Sequence, residues 1–234
     1  DPNNKIMNSG KGDTNGTAGP GFASVQLTSD AKVMRTSTNS GRLIARGIAG
    51  HKWKINISYN PMTRAEFEPV YNFLLQKRGG LTPFYVSLPQ YRTPQNAAFA
   101  TYSAINDMDV NGAVIAGSTQ LLLNGNSYTI STGTQANGNP LPGDLFTVND
   151  STDSNHKKAY MVVRCETPND DDTAVSDNNV RIHISPPLAK AVPNDAEVVF
   201  QNPLIRVVLA KDLQQYSLNT NNLYKFSLNL EEAQ

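Results

Sequence analysis

Three histidines, His51, His156 and His183, are the side chains of this sequence best suited to proton transfer or metal binding, and they stand in three different contexts. No His-Glu-x-x-His, Cys-x-x-Cys, Gly-x-Ser-x-Gly or Walker sequence surrounds them or occurs elsewhere. Hydrolysis by paired carboxylates needs two acids facing one cleft, and glutamate occurs only at positions 66, 68, 166, 197, 231 and 232. His183 lies in an alternating segment and reads as a surface or hydrogen-bonded residue. His51, just before Trp53, reads the same way. Asp170, Asp171 and Asp172 with Asp177 offer oxygens to calcium but lack the glycine and distal glutamate of an EF-hand loop, so they read as a solvated loop. Gly10, Gly12, Gly16, Gly19 and Gly21 have neither the preceding strand nor the following helix of a phosphate-binding loop. Lys77-Arg78 suits the negative end of a helix and needs no nucleic-acid phosphate. No catalytic, cofactor-binding or metal-binding residue is expected, and no cofactor.

Composition narrows the remaining classes. The chain has 234 residues, enough for one large or two small domains. Its charged content of 17% is low, which leaves much of the surface to Asn, Ser, Thr and Gln and favours a β-rich, loop-rich protein. Twenty basic and 20 acidic residues cancel. No field draws in nucleic acid or an anionic membrane, and subunits of such a chain repel one another weakly. The single cysteine, Cys165, permits no internal disulfide, consistent with synthesis and assembly in a reducing cytoplasm. No apolar run reaches the roughly 18 residues of a membrane span, and the N-terminus carries no signal-peptide pattern.

The elements follow from periodicity. Residues 8–21, rich in Gly, Ser, Thr and Asn, cannot bury a core and read as a flexible arm. Strands are expected from Phe22, over Gly41–Ile48, and over Trp53–Tyr59, where Trp53, Ile55, Ile57 and Tyr59 alternate with Lys54, Asn56 and Ser58. Pro61 ends that strand. Thr63 then caps a helix, with Glu66 completing a capping box. Phe67, Val70, Tyr71 and Leu74 form its apolar face, Lys77 and Arg78 its last turn, and Gly79-Gly80 its stop. Pro69 inside it is the discordant residue. Another strand spans Phe84–Leu88. From about Thr101 short strands recur every ten residues or so, which predicts a small barrel or sandwich. They are Gly112–Ile115, Gln120–Leu123, Ser127–Ser131, Asp144–Val148, Ala159–Cys165, Val180–Ile184 and Glu197–Gln201. Ile205–Leu209 and Tyr224–Leu230 return to the earlier style. The last of these must be paired, and belongs beside the Trp53 strand. The expected organisation is an arm over 1–21, a discontinuous β domain over 22–100 plus 205–234, and an inserted β-domain over 101–204.

Over residues 22–234 this pattern resembles tail proteins of tailed bacteriophages. The resemblance is carried by Ser40-Gly41-Arg42, by Trp53 before its alternating strand, and by Tyr59-x-Pro61-Met62-Thr63 leading into Glu66-Phe67. Phe84-Tyr85-Val86-x-Leu88-Pro89 follows. The later part contributes Pro142-Gly143-Asp144-Leu145-Phe146-Thr147-Val148, Ile182-x-Ile184-x-Pro186-Pro187-Leu188, Asn202-Pro203-x-Ile205-Arg206-Val207 and Tyr224–Ala233.

The resemblance implies a mainly β, tail-tube-like sandwich or barrel with one main helix and an inserted small β-barrel. It implies a structural virion protein, not an enzyme: a sixfold homo-oligomeric ring at the distal tail or baseplate that links the tail tube to other baseplate components and is assembled in the host cytoplasm. Such folds join sheets edge to edge, which hides strand edges in the neighbour. The candidate subunit-interface residues are Trp53, Phe73 (off the main helix face), Tyr224 and Phe226. The alternative is a carbohydrate-binding or host-attachment module that uses exposed aromatics of the inserted domain, such as Tyr128 or Tyr160.

Overall fold

The computed structural model describes residues 21–47, 50–129, 137–153, 156–168, 175–176, 178–212 and 214–233. The Gly-rich segment 8–20 and the aspartates 170–172 and 177 lie outside them. The fold is mainly β and divides into two compact units. One holds the residues up to Phe84 together with Arg206–Ala233, and the other holds Tyr85–Ile205.

The first unit contains β1 (Phe22–Asp30), β2 (Val33–Ser37), β3 (Leu43–Gly47), β4 (Lys52–Tyr59) and α1 (Arg64–Gln76). The chain leaves through β5 (Phe84–Ser87) and, after the barrel strands β6 to β11 described below, returns through β12 (Leu204–Leu209), β13 (Tyr216–Leu218) and β14 (Tyr224–Glu232). The sheet order is β1-β4-β14-β12-β5, with β13 pairing β14. The last strand therefore sits beside β4. Register explains why the pairing is unique. Val25 pairs Ile57 and Ile57 pairs Leu228, while Leu27 pairs Ile55 and Ile55 pairs Leu230. Two apolar rows thus cross the sheet on one face, and a one-residue slip would turn them to the other. The opposite face carries Gln26, Asn56 and Asn229 in one row and Ser58 beside Ser227 in another.

Helix α1 starts where its cap dictates. The Glu66 carboxylate accepts hydrogen bonds from both the N–H and the hydroxyl of Thr63, each at 2.8 Å. The helix runs through Pro69 and buries Phe67, Val70, Phe73 and Leu74. Its last residue is Gln76, so Lys77 is the C-cap and Arg78 lies beyond it: the helix ends before the two cations that the sequence places in its last turn. Lys77 Nζ instead stands 4.6 Å from the centre of the Phe73 ring. Gly79 adopts a left-handed φ of +65°, and a Cβ there would come within 2.6 Å of Asp212 Oδ1. Gly80 N–H donates to that same oxygen at 3.3 Å, so the stop is held by a residue far along the chain.

The second unit is built on a closed barrel. Its strands are β6 (Met108–Val110), β7 (Gln120–Gly125), β8 (Leu145–Asn149), β9 (Ala159–Glu166), β10 (Val180–Ser185) and β11 (Glu197–Val199), in the order β10-β7-β6-β11-β8-β9. Leu121, Leu123, Phe146, Val148, Tyr160, Val162, Ile182 and Val198 fill the interior. The alternate residues face out, as a period of two requires. A short helix absent from the sequence reading, α2 (Ala97–Ser103), closes the packing. Asn96 Oδ1 caps it by accepting from the N–H groups of Ala98 at 3.0 Å and Phe99 at 3.3 Å. Phe99 then meets Phe200 edge-on at 5.1 Å. The Pro142-Gly143-Asp144 turn is real and doubly used. Gly143 takes φ +98°, and buried Asp144 accepts from the N–H of Leu141 at 2.8 Å and of Gln95 at 3.0 Å.

Two expected strands differ. Of Gly112–Ile115, only Val114 forms a bridge, with Val192. Ser127 is a turn residue with φ +56°, a conformation no strand allows, and Ile130–Ser131 lie outside the described residues. Gly112, at φ +93°, and Gly117, at φ +85°, set turns on either side of Val114 and leave no length for a strand.

Candidate interface surfaces

The histidines are all engaged. His51 Nε2 is 2.9 Å from Ser29 Oγ, and its ring meets Trp53 edge-on. His156 is buried, with Nε2 2.8 Å from the Tyr160 hydroxyl, which also accepts the N–H of Ala189 at 3.0 Å. Burial pushes the His156 ring below its ordinary pKa and keeps it neutral. His183 Nε2 lies 2.7 Å from Glu166 Oε1, and Arg164 and Arg181 reach the same carboxylate at 2.9 and 3.2 Å. Cross-strand register makes this cluster, because Arg181 pairs Glu166 and His183 pairs Arg164 across β9 and β10. Its role is to satisfy a buried carboxylate. Among the described residues, no three His, Cys, Asp or Glu side chains come together as a metal site would require. Among them, too, no helix is long and apolar enough to cross a membrane.

The four residues marked for a subunit contact have separate placements. Trp53 is buried, and its N–H donates to the equally buried Glu232 at 3.2 Å. Phe73 is buried against Phe84, edge-on at 5.4 Å. Tyr224 and Phe226 join one aromatic cluster with Phe67, Tyr71 and Tyr216, which fastens α1 to β14. Tyr224 keeps a partly open surface, whereas Phe226 is buried. The aromatics named for the glycan alternative are buried as well. Tyr128 donates to the Gly138 carbonyl at 2.8 Å inside the barrel, and Tyr160 stacks on Phe146. Neither is an exposed platform, because a closed barrel turns one face of every strand inward.

Sequence reasoning missed where the open surface lies. Among the described residues, strands β2 and β3 pair only with each other, and every residue in both is exposed. The hairpin is well formed locally: Thr38 N–H donates to the Arg42 carbonyl at 2.9 Å, and Gly41 supplies φ +80°. Yet Met34 is 63% and Leu43 64% exposed, with Val33 and Ile44 also open. Register puts Met34, Thr36, Ile44 and Arg46 on one face and Val33, Arg35, Leu43 and Ala45 on the other. Each face thus carries two apolar side chains and an arginine. A lone two-stranded hairpin is marginal in water, and exposed apolar groups on both faces mark a contact surface.

The second open surface is β1, a nine-residue strand at the end of the sheet order. It holds no proline, and its one charge, Asp30, is bound to Lys54 at 2.6 Å. Its register shifts between Phe22 and Ser24, the kind of irregularity that blunts an edge, but Ser24–Ser29 beyond it carries neither proline nor charge.

No family model matches the chain. The chain is 28% identical over 217 residues, 92% of its length and 93% of that protein's, to the distal tail protein pb9 of Escherichia phage T5. Similarity over nearly the whole of both chains supports the phage distal tail protein family for this chain, and with it a structural place in the virion tail.

Proposed function

We propose that copies of this chain close a ring at the distal end of the phage tail and join the tail tube to other baseplate proteins. The observation that carries this reading is the β2–β3 hairpin, whose two faces expose apolar side chains that a neighbouring copy would cover. The edge of β1 beyond its register shift supports it, since a neighbour's strand would complete its hydrogen bonds. Sixfold symmetry is the closure that the resemblance to tail proteins implies, and assembly in the host cytoplasm precedes incorporation. Balanced charge permits the close packing of like subunits. In this reading Trp53, Phe73 and Phe226 act from within, fixing the sheet and helix whose outer surfaces meet the neighbour, while Tyr224 has surface of its own to give. The arm before residue 22, the discontinuous β domain and the inserted domain would then divide the work, with the insertion facing the other baseplate proteins. The test is the mass of the purified chain by light scattering, together with imaging of intact particles. A ring-sized species and density for this chain at the tail tip are expected. A chain that stays monomeric at high concentration and is missing from particles overturns the proposal.

A further inference from the structure

The chain is neutral, with 20 basic and 20 acidic residues, yet its charges are sorted. Between residues 31 and 47 stand Lys32, Arg35, Arg42 and Arg46, and no acid. This stretch is the β2–β3 hairpin, where Arg46 lies opposite Met34 on the face that also carries Ile44. The barrel unit carries the counterpart: Asp107, Asp109, Asp195 and Glu197. Among the described residues, neither set of four forms an ion pair.

Strand register brings the acids together. Glu197 of β11 pairs Asp109 of β6, so two carboxylates stand directly opposite each other on the outer surface of the barrel. Like charges in that relation destabilise a sheet. Asn124 on β7 and Asn149 on β8 flank the pair, and Asn149 donates to Glu197 at 2.8 Å. Asp195 is exposed and fixed in place: its N–H donates to the Val110 carbonyl at 2.9 Å, and its carboxylate accepts from Asn194 at 2.7 Å. Burial, and then the charges of Asp107, Asp195 and Glu197, hold the Asp109 carboxyl above its ordinary pKa. Ile105, 82% exposed and just before Asp107 in the chain, gives this acidic surface an apolar neighbour.

We propose that the β2–β3 hairpin of one copy docks on the Asp109–Glu197 row of the next. This rests on the ring reading above and names the surface that receives the hairpin. The match is in charge and in apolar character: four cations with exposed Met34 and Ile44 meet four acids with exposed Ile105. A guanidinium set between Asp109 and Glu197 replaces one repulsion by two attractions. The two surfaces differ, so the contact runs head to tail, the kind that closes a ring when its rotation allows. An anionic lipid surface would suit the hairpin but would leave the opposed carboxylates as they are.

The test uses the full chain, with assembly read by light scattering and folding by melting temperature. Reversing the hairpin, Arg42→Glu with Arg46→Glu, should abolish the ring-sized species. Reversing the exposed acids beside the row, Asp107→Lys with Asp195→Lys, should do the same. All four changes in one chain should restore it, because the two surfaces are again complementary. Glu197→Gln keeps a group that can accept from Asn149 and removes one opposed charge. It should raise the melting temperature of the dilute chain while weakening association, two effects that a purely structural glutamate would not give together. Association of the parent chain should weaken by about tenfold or more between about 50 mM and about 500 mM salt. Reversed variants that assemble as the parent does overturn the docking and leave the ring standing, and so does a combined chain that folds but stays monomeric. A parent chain that is monomeric under every condition overturns the ring itself.

Discussion

Phe67 of α1 and Tyr224 of β14 stack with ring centres 4.5 Å apart and planes 14° apart. They bring together the start of the one long helix and the start of the last strand. Tyr224 also bonds to Met62 through both its N–H and its carbonyl, at 2.8 and 2.9 Å, so the entry to α1 is tied to β14 by backbone as well. Phe67→Ala removes the centre of this cluster and should cost about 3–5 kcal/mol. A double-mutant cycle with Tyr224→Ala should give a coupling of about 0.5–1.5 kcal/mol, the range of an aromatic pair beyond its buried area. Urea denaturation of the four proteins measures both.

Glu166 supplies the second prediction. It is buried, and it is approached by Arg164, Arg181 and His183. Glu166→Ala removes the carboxylate that Arg164 and Arg181 both reach across β9 and β10. A loss of about 1–3 kcal/mol is expected, the cost of leaving buried partners unsatisfied. Removing the exposed Arg164 alone should cost under about 1 kcal/mol, since exposed pairs contribute little. Equal losses for the two variants in thermal or urea melts would show that the cluster is not organised around the carboxylate.

His156 predicts an acid-sensitive barrel. Burial lowers its pKa from the ordinary 6.5, against the attraction of Asp150 and Asp153 and with the help of Lys190 and Lys157. The folded chain therefore binds the proton less readily than the unfolded chain. Stability is constant above about pH 6.5, falls as the pH drops below it, and levels off once the folded-state ring is also protonated. His156→Gln should flatten that limb. Urea midpoints taken between pH 7.5 and 5 read the slope directly, and a slope unchanged by the substitution rejects the assignment.

What was legible in the sequence divides along physical lines. Strands β4 and β14 and helix α1 announce themselves because each has one wet face and one dry face, so period alone assigns them. The capping box at Thr63 and Glu66 is equally local. The apolar stripe of Phe67, Val70, Tyr71 and Leu74 leaves Phe73 outside it, yet Phe73 is buried. Phe84 covers a second stripe of the same helix, and nothing near Phe73 in sequence says so. Strands β6 and β13, three residues each, are too short to show a period and exist through their partners. The burial of Tyr128 and Tyr160 depends on the barrel being closed, and the Glu166 cluster depends on the β9–β10 register. Both are properties of pairing between strands, which no single segment contains.

The hairpin gives the last prediction, and it separates assembly from folding. Met34 and Leu43 lie on opposite faces of β2–β3 and are 63% and 64% exposed. Met34→Glu with Leu43→Glu should change the stability of the isolated chain by no more than about 0.5 kcal/mol per site, as expected for surface positions. In a neighbour's contact, however, each change places a charge against apolar surface, a far larger penalty. The expected outcome is an unchanged melting temperature in dilute solution and loss of the ring-sized species in light scattering. A lysine pair on the edge of β1, Gln26→Lys with Thr28→Lys, should act in the same direction by blocking strand addition. If the hairpin variant assembles as the parent chain does while the β1 variant does not, closure runs through the sheet edge alone. If both assemble normally, the contact between copies lies on neither surface.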